Sequence, residues 1–463
     1  MRLGLVLALV ALPAEAGEQG LPVDLHVGSG KNVLWSAELG TEAYAGPVVA
    51  GGKVFAGTNN ERPRDPKVEG DRGVVMAFRA ADGSFLWQMT HGKLAAGRSQ
   101  DWPMQGVCST PVVSGDRLYY LSNRGELVAL DVEGFGDGEN DGPFAAEAAT
   151  GSAAADVVWI LDLVAELGVV PRFATASSPV VAGDLVFAVT GNGVGEQGKV
   201  PAPGAPSFVA VDRHTGKVRW TDASASPNLL DGGWGSPAHG VVRGRPQVIF
   251  PGADGWLYSL VPESGELLWK FDANRPPGAG GERGKESLIA RPRVVGERIY
   301  VGVGHDPEWG AADGRLWALD AALSGDVTEK AALWSRGGED FSRTLSTVAV
   351  HDGVLYAPDL AGFLHALEAE TGQPLWKYDA FAAIWGSPLV ADGKVYLGDE
   401  DGDLAILRAG RELKLLAEPN LGDAIYTTPA AEGGVLYVVT ANRLFAFREG
   451  AGPWPREEPQ AEP

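Results

Sequence analysis

Two acidic runs carry oxygen donors at spacings that suit a hard cation. In Asp137-Gly138-Glu139-Asn140-Asp141-Gly142 the carboxylates of Asp137, Glu139 and Asp141 occupy every second position, the alternation with which a loop wraps calcium. The twelfth residue from Asp137 is Ala148, where a helix-loop-helix calcium site needs a bidentate Glu. The run also reads as an acidic turn, because Asp and Gly favour turns. Asp399-Glu400-Asp401-Gly402-Asp403 lies between two strand-like stretches and reads as a hairpin turn. The seven histidines lack zinc-pair spacing, and the chain has no Gly-x-Ser-x-Gly elbow, phosphate-binding loop or haem-attachment pair. Cys108 is the single cysteine, which excludes an internal disulfide, and it reads as a packed core thiol.

Binding chemistry is richer than catalytic chemistry. Arg98, Asp101, Trp102 and Gln105 fall in one connecting segment, and Asp231 with Trp234, Lys285 with Glu286, Asp340 with Arg343, and Trp385 fall in others. Each group precedes a strand-like run by a few residues. Aromatic and charged side chains converging on a concave mouth suit a ligand or a protein partner. Trp234 and Trp385 both sit in Trp-Gly-Ser-Pro, which serves either stacking on a ligand or packing within a repeat. Arg343 and Glu286 suit ion pairs at a junction as well as ligand contacts.

The elements that carry these residues recur. Eight copies of one pattern start at Pro47, Pro111, Pro179, Pro237, Pro292, Val348, Pro388 and Pro429. Each copy has a short apolar run, a Gly-containing two-residue turn, a second alternating run, a third strand and a fourth that ends in Trp. Four antiparallel strands repeated around an axis predict an all-β fold, an eight-bladed β-propeller. The fourth-strand tryptophans are Trp87, Trp159, Trp220, Trp269, Trp334 and Trp376, whereas the seventh copy has Leu413 to Leu416 there. The eighth copy stops after three strands at Phe447, and the orphan segment Asn32 to Leu39 carries Trp35. An N-terminal strand is therefore expected to complete the last blade and bury its edge.

Loop lengths separate the two faces of such a ring. Second-to-third-strand loops are long at Thr58 to Arg72, Gly191 to Pro206 and Gly304 to Asp313, and so are the connections Thr90 to Val107, Asp272 to Leu288 and Ser335 to Leu345. The face above blades one to five is the expected binding surface.

Composition bounds the partners. With 38 basic and 60 acidic residues the net charge is −22, which repels nucleic-acid backbones and favours solubility. Residues 1–16, with Arg2, an apolar run from Leu3 to Leu12 and Ala14-Glu15-Ala16, read as a cleaved export signal. No Cys follows that run, so no lipid anchor is expected, and no later stretch is long enough to span a bilayer. The propeller is expected over residues 32–448 and a flexible Pro- and Glu-rich tail over 449–463.

The full pattern, clearest at Pro388 to Gly402 and Asp254 to Trp269, resembles the PQQ-like repeat over nearly the whole mature chain. The resemblance implies a propeller. Its relatives include quinoprotein dehydrogenases, which bind pyrroloquinoline quinone and calcium, and the propeller lipoprotein of the outer-membrane β-barrel assembly machinery, which binds proteins without a cofactor. The dehydrogenase branch implies an adjacent cysteine pair, calcium held by Glu, Asn and Asp, and an Asp base. One cysteine rules out the pair. The leading expectation is thus a periplasmic or secreted, non-catalytic scaffold that binds a protein partner or small ligand through its long-loop face. The alternative is a quinoprotein oxidoreductase with quinone and calcium at the channel mouth.

Overall fold

A computed structural model describes residues 20–147, 149–274, 283–305 and 314–452. The export-signal reading (residues 1–16) and the tail beyond residue 452 lie outside the described residues. The strands form eight sheets, each built from four successive strands of its own repeat except the last, and the fourth gains one strand from the next repeat. In every blade the innermost strand begins on the residue directly after the repeat's leading Pro, or after Val348, as in Val48–Ala50, Val180–Ala182 and Leu389–Ala391. Inner strands of neighbouring blades touch, so they ring a central channel.

The turn residues explain the inner hairpins. Gly51-Gly52, Arg243-Gly244, Asp352-Gly353, Asp392-Gly393 and Gly433-Gly434 all take positive φ at both positions, the geometry whose twist matches paired strands. In blades two, three and five only the first turn residue does so, and that residue is Gly115, Gly183 or Gly296.

The ring closes as expected. Val33–Glu38 pairs antiparallel with Arg443–Arg448, which makes the N-terminal strand the outer strand of blade eight. Two departures stem from insertions between third and fourth strands. Gly325–Asp326 adds to blade four as a fifth strand, parallel to its outer edge at Trp269 and Lys270. Ala154, in the blade-two insertion, bridges Gln88 of blade one in the same parallel sense. Each insertion covers an edge that would otherwise stay open.

The tryptophans hold one blade to the next. Trp35 Nε1 donates to the Ala80 carbonyl of blade one at 2.8 Å, Trp159 to Arg213 of blade three at 2.9 Å, Trp334 to Ala369 of blade six at 3.1 Å and Trp376 to Gly410 of blade seven at 2.9 Å. The Thr-Gly and Asp-Gly turns are part of this device. Gly83, Gly216 and Gly372 lie against the rings of Trp35, Trp159 and Trp334, where a Cβ would come within 2.6, 2.8 and 2.6 Å, and all three have positive φ. Blade four differs, since Trp269 donates to Gln247 Oε1 at 2.9 Å and Gln247 Nε2 donates on to the Ala321 carbonyl of blade five at 3.1 Å.

Blade seven, whose outer strand is Leu415–Ala417, has no tryptophan to offer blade eight. Leu21 and Leu25, ahead of the repeat's own start, are buried in that junction with Ile406, Leu421 and Phe447. The Leu21 backbone N–H donates to Asp392 at 3.0 Å, and Tyr396 O–H donates to the Pro22 carbonyl at 3.4 Å.

Candidate functional site

The approach to each inner strand alternates with a strict eightfold repeat. The residue three before the leading Pro, or before Val348, is partly exposed in all eight blades, and its neighbours on both sides are buried. Around the axis these residues are Tyr44, Cys108, Ala176, Trp234, Ile289, Leu345, Trp385 and Tyr426. Tyr44 stacks on Tyr426 with centroids 5.1 Å apart, and Trp385 meets Tyr426 edge-on at 5.7 Å, so blades seven, eight and one share an aromatic wall. Cys108 stands in the same tier, where burial pushes its thiol up to about 12 and keeps it protonated and inert.

One tier deeper, hydroxyls link the blades. Gly46 N–H donates to Thr110 Oγ1 at 2.9 Å, Thr110 N–H to Ser178 Oγ at 3.0 Å and Ser178 N–H to Ser236 Oγ at 2.9 Å. Across the ring, Thr347 N–H donates to Ser387 Oγ at 2.9 Å and Ser387 N–H to Thr428 Oγ1 at 3.0 Å.

Above the mouth, the expected residues gather into separate groups. The Arg98 guanidinium lies 4.6 Å over the Trp102 ring, Trp102 meets Phe173 edge-on at 5.1 Å, and Arg172 lies 3.9 Å over Phe173. Arg172 approaches Asp231 at 3.9 Å, and Trp234 Nε1 donates to the carbonyls of Arg172 at 2.9 Å and Ala174 at 3.1 Å. This cation-aromatic ladder runs from blade two to blade four. Trp234 both packs the fold and shows a face to the mouth, whereas Trp385 Nε1 reaches Glu400 at 3.4 Å.

A second group spans blades five and six. Glu286 pairs with His305 Nδ1, and Arg343 reaches His305 Nε2 at 3.3 Å. Asp340 pairs with Arg336 at 3.1 Å on the surface, and Lys285 is exposed. Asp101 is buried and committed to the loop itself, accepting from Leu94 N–H at 2.9 Å and Asn123 Nδ2 at 2.8 Å and pairing with Lys93 at 2.6 Å. Burial raises its pKa despite that lysine. Gln105 contributes its carbonyl to the Cys108 thiol at 3.8 Å. Arg172, Phe173, His305, Tyr44 and Tyr426 were not among the expected residues. Aligning the copies three residues ahead of the Pro exposes Tyr44 and Tyr426 in the sequence, but nothing there marks Arg172, Phe173 or His305.

The acidic loop of blade two assembles a different set from the one its spacing suggests. Asp137 and Asp141 bring carboxylate oxygens within 4.8 Å of Asp131. Glu139 is left out of that set, and its N–H donates to Asp137 Oδ1 at 3.0 Å in a local turn. Arg117 pairs with Asp131 and stands 3.6 Å from Asp141, so one guanidinium offsets part of the charge of this cluster. The run Asp399 to Asp403 is a turn, with Asp399 Oδ1 accepting from Asp401 and Asp403 N–H at 3.0 Å.

Burial, the largest cause in each case, lifts Asp131, Asp254 and Asp399 from 3.8 to about 6. The folded chain therefore holds more protons than the unfolded chain between pH 4 and 6, and its stability falls as pH rises through that window. His239, lowered by burial, works in the opposite sense but alone. The carboxylates held low, such as Asp212 and Glu126, lose their contribution only below their ordinary range. The melting temperature should be higher at pH 5 than at pH 7.5, and scanning calorimetry at the two values checks it. A lower value at pH 5 would contradict the assignment.

Quinone and calcium can be tested against these tiers. The sixteen positions of the two tiers contain no Asp or Glu, and the single Cys stands among Tyr, Trp and aliphatic neighbours. These two tiers therefore offer calcium no carboxylate ligand and the quinone no cysteine pair.

Together these features define the class, a closed eight-bladed ring of PQQ-like repeats. Within that class, the chain belongs to the family described as outer membrane protein assembly factor BamB, whose pattern matches residues 28–327 and 312–448. A BamB from Shewanella oneidensis is 23% identical over 258 residues, covering 50% of this chain and 60% of that protein. One from Moranella endobia is 24% identical over 372 residues, covering 80% and 79%. The dehydrogenase subunit of a quinone alcohol dehydrogenase from Gluconacetobacter polyoxogenes is 27% identical over 216 residues but covers 42% of this chain and 29% of that protein. The solved structure of BamB from Moraxella catarrhalis matches with a TM-score of 0.56 and 16% identity over 89% of this chain and 98% of that one, a likeness of fold.

Proposed function

We propose that this chain is a non-catalytic protein-binding scaffold that works in the periplasm in the assembly of outer-membrane proteins, and that it captures its partner on the long-loop face. The observation that carries the reading is the cation-aromatic ladder from Arg98 to Trp234 on that face. Aromatic and Arg side chains supply most of the energy of protein interfaces. Exposed apolar groups on the same face support it, with Phe381 90% exposed in the connection before blade seven and Met104 51% exposed beside the ladder. Membership in a family described as assembly factors supplies the process. Among the described residues no helix is long and apolar enough to cross a membrane.

The test is binding of the purified chain to the other components of the outer-membrane assembly machinery from the same cell. Trp102→Ala combined with Phe381→Asp should weaken capture by at least about tenfold, the loss expected from truncating interface anchors. The double variant should still unfold in a single cooperative transition, because Phe381 is exposed and Trp102 only partly buried. Undiminished capture by a folded double variant would sink the assignment of the face.

A further inference from the structure

The hydroxyl belt is interrupted at blade five. Directly before the leading Pro, or before Val348, the other blades carry Thr, Ser or Gly, and blade five carries Arg291. Arg291 Nη2 donates to the Ser178 carbonyl at 2.8 Å. Ser178 holds the same register in blade three, so the side chain passes the sector of blade four and lies along a chord of the channel. Among the described residues no carboxylate forms an ion pair with it, and neither tier contains an acid. Burial alone pulls its pKa down to about 10, with no nearby charge offsetting that cause.

A partly buried cation without a counter-charge carries a desolvation cost. The surroundings are rich in donors. Thr110, Ser178 and Ser236 each use a hydroxyl oxygen to accept a backbone N–H, which leaves each its own proton to donate. A guanidinium and a belt of O–H donors in the same register around the channel, with no Asp or Glu in either tier, offer the recognition chemistry of an oxyanion. The aromatic tier two residues outward, roughly 7 Å away at strand rise, provides flat faces for an attached body. We propose that the central channel contains an anion site in which Arg291 and the hydroxyl belt bind a small oxyanion, a carboxylate or a phosphate. This site is separate from the partner-binding face and stands or falls without it.

The test is thermal unfolding of the full chain at constant ionic strength, with sodium chloride replaced stepwise by sodium phosphate or by sodium benzoate. Phosphate probes the anionic head alone, and benzoate adds an aromatic body. The melting temperature should rise by about 3 °C at a hundredfold excess over the dissociation constant, given the entropy of unfolding a chain of this size. A response to one anion alone identifies the head group. Arg291→Met should abolish the response and, in chloride, melt at or above the parent, because an unpaired, partly buried charge has been removed. Should that variant not fold, Arg291→Gln, which keeps a donor for the Ser178 carbonyl, decides on the same criterion. Absence of a rise with both anions, or an equal rise in a folded Arg291 variant, overturns the proposal.

Discussion

Trp35→Ala should cost about 3–5 kcal/mol of unfolding free energy, the range for truncating a large buried aromatic side chain. Trp35 is fully buried, and it sits on the strand that closes the ring. Its ring covers Gly83, its Nε1 binds the Ala80 carbonyl of blade one, and it packs with Val54, Phe78 and Tyr437. Truncation opens a cavity at that junction and leaves a carbonyl without its donor. Trp220→Ala, at a partly exposed tryptophan of the same type, should cost less. Guanidinium unfolding of both variants checks the order. A cost below about 1 kcal/mol for Trp35→Ala would show that closure does not depend on this contact.

Gln247→Leu should cost about 3 kcal/mol or more, although it places an apolar side chain of similar size in the core. Gln247 Oε1 accepts from Ser259 Oγ at 2.7 Å and Trp269 Nε1 at 2.9 Å, and its Nε2 donates to the Ala321 carbonyl at 3.1 Å. Leucine strands three buried polar groups, each worth about 1–3 kcal/mol when left unpaired. Six blades bring the tryptophan directly to the neighbouring carbonyl, and here the amide relays the bond. A double-mutant cycle with Trp269→Phe, which removes the indole N–H, isolates the relay. Coupling above about 0.5 kcal/mol is expected, and additive costs would show that Gln247 acts through packing alone.

The legible part of the fold is local. Each inner strand starts where the Pro register places it, because Pro directs the chain into extended structure and a Gly turn sends it back. Trp35 was readable as the missing outer strand because the eighth copy stops after three strands and one orphan segment carries the Leu-Trp strand ending. The segment around Leu21 and Leu25 was not readable in this way, since it matches no repeat and fills the space beside a tryptophan-free blade. The fifth strand of blade four comes from an insertion in blade five, a pairing that no local pattern records.

The candidate site divides along the same line. Residue types near the inner strands were visible. Their partners were not. Phe173 reaches Trp102 from another blade, His305 comes between Glu286 and Arg343, and Asp131 replaces Glu139 beside Asp137 and Asp141. By itself the sequence determined the repeat, the turns and the number of blades, because these depend on propensities and spacings within about fifty residues of chain, and it showed the means of closure because an incomplete last copy and an orphan strand are each local patterns. Only the tertiary structure decided which side chains meet across blade junctions and which charges pair. Those outcomes depend on distances between segments far apart in sequence, and such distances exist only once the ring has closed.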